Sequence, residues 1–254
     1  MQNNRGKFLS VIGLFLIFIL PQKHITIYLA GDSTMCDFEK ARSPLTGWGT
    51  PFSSFFDSSV TVINKARGGR STKTFISENR WQSIIDNLRE GDYVFIQFGH
   101  NDETKEERFR DRQTPIPDYK INLERFIREA RAKKAFPVLI TPVTRMEFDS
   151  SGGVPETHPG YSTACIEVAL KNKVPLIDLD KKSRELVRLY GPDRAKYLFL
   201  FLEPGANPHY PTGIDDSTHF NEYGARIMAE QVMAGIRELK LGLVERIYKP
   251  KVDD

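Results

Sequence analysis

Four short blocks of this chain carry the residue types of acyl transfer. Gly31-Asp32-Ser33-Thr34-Met35 sets a serine hydroxyl directly after an apolar run. A hydroxyl there can stand above a strand end, as in a nucleophile elbow, although G-x-S-x-G itself is absent. Arg67-Gly68-Gly69-Arg70-Ser71-Thr72 offers backbone that a ligand can approach closely, and an N–H there could donate to a developing oxyanion. The same block also reads as a strand-to-helix turn capped by Ser71 or Thr72. A phosphate cradle fits poorly, since neither G-x-G-x-x-G nor G-x-x-x-x-G-K-[ST] occurs. Phe98-Gly99-His100-Asn101-Asp102 adds a side-chain amide at Asn101. Its His100 has two readings, a base or an imidazole held by backbone hydrogen bonds. Asp215-Asp216-Ser217-Thr218-His219-Phe220-Asn221 puts Asp216 three residues before His219. A carboxylate on one ring nitrogen fixes the tautomer and leaves the other nitrogen to deprotonate a serine. Metal binding by Asp215, Asp216 and His219 is the rival chemistry. It lacks H-E-x-x-H or a second ligand cluster, and the chain has only 5 His. No metal and no cofactor are expected.

These blocks need a scaffold that brings them to one edge. Apolar, β-rich runs at 25–30, 60–66, 93–98, 136–141 and 174–179 alternate with helical patterns. Leu123, Phe126, Ile127 and Ala130 share one face of a helix near 118–133, with Asp118 as its expected cap. Met228, Val232, Ile236 and Leu239 mark a last helix, with Asn221 placed to cap it. Strands that are apolar along their length, alternating with helices, indicate a parallel sheet covered on both faces. The expected fold is α/β, a single doubly wound, flavodoxin-like sheet. Such sheets bind ligands outside the carboxyl ends of their strands, where the four blocks fall. Trp48 and Trp81 fall in helical patterns and read as core.

The order Ser in G-D-S, Gly, Asn in G-x-N-D and then D-x-x-H resembles the SGNH hydrolase superfamily, or GDSL-type esterases. Within it the chain looks most like the rhamnogalacturonan acetylesterases. That closer likeness rests on Thr46-Gly47-Trp48-Gly49, Gly69-Arg70-Ser71-Thr72, Phe98-Gly99-His100-Asn101-Asp102, Thr141-Pro142-Val143 and Thr218-His219-Phe220. The resemblance implies Ser33 as nucleophile, His219 as base and Asp216 as its partner. Ser33 and Gly69 backbone N–H groups and the Asn101 amide would form the oxyanion hole. Asp32 would order the loop. The implied reaction is removal of O-acetyl groups from a pectic polysaccharide or oligosaccharide. The alternatives are a GDSL lipase or thioesterase acting on other acyl esters, and a glycan-binding protein without turnover. For a galacturonate-rich chain, Arg70, Lys73, Arg145 and His158 are the substrate-binding candidates, with Arg80 weaker. The segment 147–159 reads as a loop at the same edge.

Composition sets the remaining bounds. With 254 residues, 40% hydrophobic and 27% charged, the chain is neither disordered nor low-complexity. Its formal +3 includes Arg5 and Lys7, which precede a largely apolar, uncharged run at 8–20 ended by Pro21. That pattern is a signal peptide, or a short anchor since no small-x-small cleavage site follows. The expected division is 1–22 for export, 23–240 for the hydrolase domain and 241–254 for a tail. Without Arg5 and Lys7 the charge falls to near neutral, so neither a nucleic acid nor a membrane partner beyond the export segment is expected. Two Cys, Cys36 and Cys165, make no disulfide framework, and their spacing leaves pairing open.

Overall fold

The structure is a computed structural model that describes residues 23–249. The expected export segment lies outside the described residues, as do residues 250–254. Five parallel strands, β1 (Ile25–Gly31), β2 (Val60–Asn64), β3 (Tyr93–Gln97), β4 (Phe136–Ile140) and β5 (Leu176–Ile177), form one sheet in the order β2-β1-β3-β4-β5. Side chains alternate across a strand, so apolar runs fill two layers at once. Ile27, Leu29, Phe95, Val138 and Ile140 face one core, while Tyr28, Ala30, Val94, Ile96 and Leu139 face the other. Helices α5 (Leu179–Ala195) and α6 (Glu222–Glu238) cover the first with Val187, Met228, Val232 and Ile236. Helices α1 (Thr72–Ser77), α2 (Arg80–Ile85), α3 (Ile116–Ala132) and α4 (Tyr161–Asn172) cover the second with Phe75, Trp81, Phe126 and Val168. This is the doubly wound sheet with helices on both faces that the sequence indicates.

Local departures have local causes. β5 is two residues long because Pro175 has no N–H to give and Asp178 already caps α5, accepting from the Lys181 N–H at 3.2 Å. α3 starts at Ile116 with Pro115 at its cap and Pro117 in its first turn, where a fixed φ suits the helix. Asp118 therefore sits inside that turn and caps nothing. α6 is capped as expected, Asn221 Oδ1 accepting from the Gly224 N–H at 2.9 Å. Trp48 is buried in a loop and Trp81 in α2.

The described part of the expected tail packs on the domain. Leu243 is fully buried, the Arg246 carbonyl accepts from the Asp57 N–H at 2.9 Å, and Ile247 bridges to Phe56. The folded unit therefore runs past residue 240, to at least Tyr248, whose N–H donates to the Phe55 carbonyl at 2.9 Å. A second sheet pairs β6 (Phe199–Leu202), an apolar run absent from the expected strands, antiparallel with the polar β7 (Ile214–Phe220). No helix among the described residues is long and apolar enough to cross a membrane.

Candidate active site

The chain runs from β1 to β2 on one side and returns to β3 on the other, so the loops after β1 and β3 diverge and leave a crevice. Ser33 occupies the loop after β1. Asp32 Oδ1 accepts from the Thr34 N–H at 2.9 Å and from Thr34 Oγ1 at 2.8 Å, while the Asp32 carbonyl accepts from the Cys36 N–H at 3.0 Å. These bonds close a tight turn and leave Ser33 half-buried at the sheet edge.

A second segment braces that turn. The Trp48 N–H donates to the Thr34 carbonyl at 2.9 Å and the Gly49 N–H to the Met35 carbonyl at 3.1 Å. Trp48 Nε1 donates to Gln97 Oε1 at 2.7 Å, and Gln97 Nε2 donates to Thr34 Oγ1 at 2.7 Å. A Cβ on Gly47 would lie 2.3 Å from the Cys36 carbonyl oxygen, so the brace reaches this position only with glycine. Thr34, Gln97 and Trp48 carry no chemistry themselves, and sequence reasoning assigned them none.

His219 and Asp216 come from β7. Phe199 pairs with Phe220 and Leu200 with Asp216, so Ser217, Thr218 and His219 bulge out against one step of β6. A bulge re-aims side chains. Three residues apart in a regular strand, Asp216 and His219 would face opposite sides; in the bulge they meet. Asp216 Oδ1 accepts from the backbone N–H groups of Thr218 at 2.8 Å and His219 at 3.0 Å. Oδ2 lies 2.8 Å from His219 Nδ1, and His219 Nε2 lies 2.9 Å from Ser33 Oγ. Burial alone would raise the Asp216 carboxyl, but its hydrogen bond and charge interaction with His219, with the two backbone donors, hold it below the ordinary value. Ionised Asp216 takes Nδ1–H, so Nε2 is the acceptor facing the hydroxyl.

Gly68 lies beside Ser33 from the loop after β2; a Cβ on it would lie 3.5 Å from Ser33 Cβ. Gly69 has φ +78°, a conformation that favours glycine. Two residues on, Ser71 caps α1 in a reciprocal box with Thr74, so the block is both a helix cap and a glycine edge beside the serine. Among the described residues, neither the Ser33 nor the Gly69 N–H has an acceptor. Asn101 Nδ2 donates one hydrogen to the Arg70 carbonyl at 3.2 Å and keeps a second. Asn101 is thereby tied to the loop that carries Gly69.

Asp102 ties the Asn101 loop to the Gly69 loop. Its Oδ1 accepts from the Thr72 N–H at 2.9 Å and Thr72 Oγ1 at 2.6 Å, while Oδ2 is buried without a partner. Burial pushes this carboxyl up to about 7, outweighing the Thr72 hydrogen bonds that lower it. Between its ordinary 3.8 and about 7 the folded chain holds a proton that the unfolded chain has released, so this group's stabilisation declines as pH rises through that window. Asp102→Asn keeps the Oδ1 acceptor and removes the titration. The variant is expected to fold, and its stability relative to the parent should grow from pH 4.5 to pH 7.5, roughly the same window. Urea midpoints at the two pH values check this, and a relative stability that falls with pH would contradict it.

The remaining predicted residues divide. His100 is buried and hydrogen-bonds to neither Ser33 nor a backbone acceptor among the described residues; its ring centroid lies 4.0 Å from that of His158, and its Nδ1 is 3.6 Å from Asp32 Oδ2. Burial, followed by the charges of His158, Arg145 and His219, depresses it well below its ordinary value, so it is a neutral ring packed under the site. His158 has no exposed surface: Nε2 meets the Val143 carbonyl at 2.9 Å and Nδ1 meets Glu103 at 3.0 Å. It cannot contact a polysaccharide. Arg145 lines a cleft of about 850 Å³ beside His100, but its charge is met by Glu103 at 2.7 Å. Arg70 is held by Glu78 at 3.0 Å and by the Gly68 carbonyl at 2.8 Å, and Arg80 shares the same glutamate. Lys73 lines a separate cleft between α1 and α3, with Ile76, Asn122 and Arg125. Asp215 is exposed, and Cys36 and Cys165 are buried and unpaired. Among the described residues no three His, Cys, Asp or Glu side chains are grouped to hold a metal ion.

The model of the GDSL-like Lipase/Acylhydrolase family matches residues 29–227. Rhamnogalacturonan acetylesterase RhgT of Bacillus subtilis is 41% identical over 229 residues, 90% of this chain and 96% of that protein. Probable rhamnogalacturonan acetylesterase YesY of the same organism is 39% identical over 227 residues, 89% of this chain and 98% of that protein. Among solved structures, YxiM of Bacillus subtilis superposes with a TM-score of 0.74 at 26% identity, covering 87% of this chain and 58% of that longer one. The chain belongs to the GDSL-like lipase/acylhydrolase family and is a carboxylic ester hydrolase.

Proposed function

We propose that this chain removes O-acetyl groups from pectic polysaccharide of the rhamnogalacturonan type by a Ser33–His219–Asp216 acyl-enzyme route. The observation that carries the substrate is the 41% identity to a rhamnogalacturonan acetylesterase along nearly the full length of both chains. His219 Nε2 takes the Ser33 Oγ proton as Oγ bonds to the acetyl carbon. The carbonyl oxygen, now an oxyanion, is received by the Ser33 and Gly69 N–H groups and the free Asn101 hydrogen. Collapse breaks the bond to the sugar oxygen, which leaves with the proton from His219. Water then attacks the acetyl-serine with His219 again as base, releasing acetate and restoring Ser33. The residues at 1–22, Arg5 and Lys7 followed by the apolar run, support export before the enzyme meets its polymer.

Acetate release from acetylated rhamnogalacturonan, acetylated xylan and a small octanoyl ester tests the reading. Rhamnogalacturonan should be preferred over xylan by roughly tenfold or more in kcat/KM, the range a few site contacts supply. Activity of the full chain should appear outside the expressing cells. A preference for octanoyl ester or for xylan replaces the substrate, and activity retained in the cytoplasm removes export.

A further inference from the structure

The candidate substrate cations Arg70 and Arg145 are neutralised by their own carboxylates, which leaves open what would meet an acidic sugar. The loop between β3 and α3 answers it. Three arginines alternate along it, at 108, 110 and 112. Arg108 pairs with Glu106 at 2.8 Å and Arg110 with Glu107 at 3.2 Å, both on the exposed side. Arg112 has no carboxylate partner among the described residues. Its guanidinium instead lies flat over Gly69: a Cβ there would be 3.2 Å from Cζ, 3.2 Å from one terminal nitrogen and 3.3 Å from the other. The guanidinium also packs on the Phe109 ring, with Cζ 4.1 Å from its centroid, and Arg108 Cζ lies 4.5 Å from the same centroid.

A planar cation held by an aromatic ring and a glycine keeps its N–H fork at the edge, where it can take a carboxylate bidentately. The loop that carries it is anchored two residues later. The Thr114 N–H donates to the Asp102 carbonyl at 2.9 Å, and Tyr161 Oη donates to the Thr114 carbonyl at 2.8 Å. Arg112 is therefore fixed to the same frame as Asn101 and Gly69. Its place on Gly69 also gives that residue a second reason to be glycine, since any side chain would displace the guanidinium.

We infer that Arg112, seated on Phe109, binds the carboxylate of an acidic sugar residue adjoining the ester that Ser33 attacks. The inference deepens the proposed function and rests on its placing of the reacting ester at Ser33 and Gly69. Arg112 is a specificity residue: it holds the polymer and takes no part in proton transfer.

The test uses unacetylated trigalacturonide, and its carboxyl-reduced neutral counterpart, as inhibitors of p-nitrophenyl acetate hydrolysis. The full chain should bind the acidic trimer more tightly than the neutral one, with the preference weakening as salt rises. In Arg112→Gln that preference, the ratio of the two inhibition constants, should collapse roughly ten- to a hundredfold, the scale of one charge-assisted pair. Arg112→Lys should retain an intermediate ratio, because an ammonium keeps the charge and loses the fork. Arg110→Gln should leave the ratio where it was. An unchanged ratio in Arg112→Gln, equal inhibition of the parent by both trimers, or an equal loss in Arg110→Gln overturns the inference. Acetate release from acetylated rhamnogalacturonan in the same preparations is read separately. Its absence while the trimer ratio behaves as expected removes the polymer assignment and leaves the carboxylate site standing.

Discussion

Ser33→Ala is expected to lower kcat on an acetyl ester on the order of 10⁵- to 10⁶-fold, while changing stability by less than about 1 kcal/mol. The separation of these effects follows from how the turn is built. Ser33 Oγ has one hydrogen-bond partner among the described residues, His219 Nε2. The turn is closed by Asp32 on Thr34 and Cys36 and braced by Trp48 and Gly49 on Thr34 and Met35, and none of those bonds passes through Oγ. Removing one oxygen thus deletes the attacking atom and leaves its frame. The oxyanion donors survive in the variant, but without a nucleophile no acetyl-serine forms for them to stabilise. Two readouts check this: turnover on p-nitrophenyl acetate, and labelling by a serine-directed fluorophosphonate. Parent protein should be labelled at Ser33 and the variant left unlabelled. A variant that keeps more than about one hundredth of the parental rate places the nucleophile elsewhere.

Much of this site is legible in the sequence because its parts lie at strand ends, and strand ends follow from local pattern. The runs that became β1, β3 and β4 are apolar on both alternating faces, and Ser33 and Asn101 follow two of them within a few residues. The four blocks name the serine, the glycine edge, the amide and the D-x-x-H pair. What the sequence hides is set by partners far along the chain. β7 contains Asp215, Asp216, Ser217 and Thr218, a polar string without strand character. It becomes a strand because Phe199 to Leu202 pair with it, and its bulge, not local spacing, brings Asp216 to His219. The brace from Trp48 through Gln97 to Thr34 spans 49 and 63 residues of separation, so no window of sequence contains it.

The surroundings of the candidate substrate cations are hidden for the same kind of reason. Arg145 looked free beside the site, but its partner Glu103 sits in another loop, and the two meet only in the fold. His158 is a loop residue, but its ring turns inward onto the Val143 carbonyl and Glu103. The setting of Arg112 is not legible in the sequence because its support is spatial: the Gly69 contact crosses from the loop after β2 to the loop after β3.

Asp216→Asn is the second large effect, an expected drop on the order of 10⁴-fold in kcat at neutral pH, with the backbone of β7 intact. Oδ1 of the new amide can still accept from the Thr218 and His219 N–H groups, which hold Asp216 at 2.8 and 3.0 Å. The other half of the amide is then an NH₂, facing Nδ1 where Asp216 Oδ2 stood at 2.8 Å. A donor there turns Nδ1 into the acceptor and moves the imidazole proton to Nε2, pointing it at Ser33 Oγ across 2.9 Å. The base then carries a proton at the position that must receive one. The imidazolium formed during attack also loses the carboxylate that the parent keeps ionised, since Asp216 is held below its ordinary value and stays charged well into acid. Asp215→Asn, at the neighbouring exposed carboxylate, should be near parental and serves as the control. The pairing has a further consequence for the double variant: with Ser33 already alanine, Asp216→Asn has no proton transfer left to damage, so the two losses should not add. Measured kcat values for the parent, both singles and the double decide it. A single Asp216→Asn within about tenfold of the parent would mean that something other than this carboxylate sets the His219 tautomer.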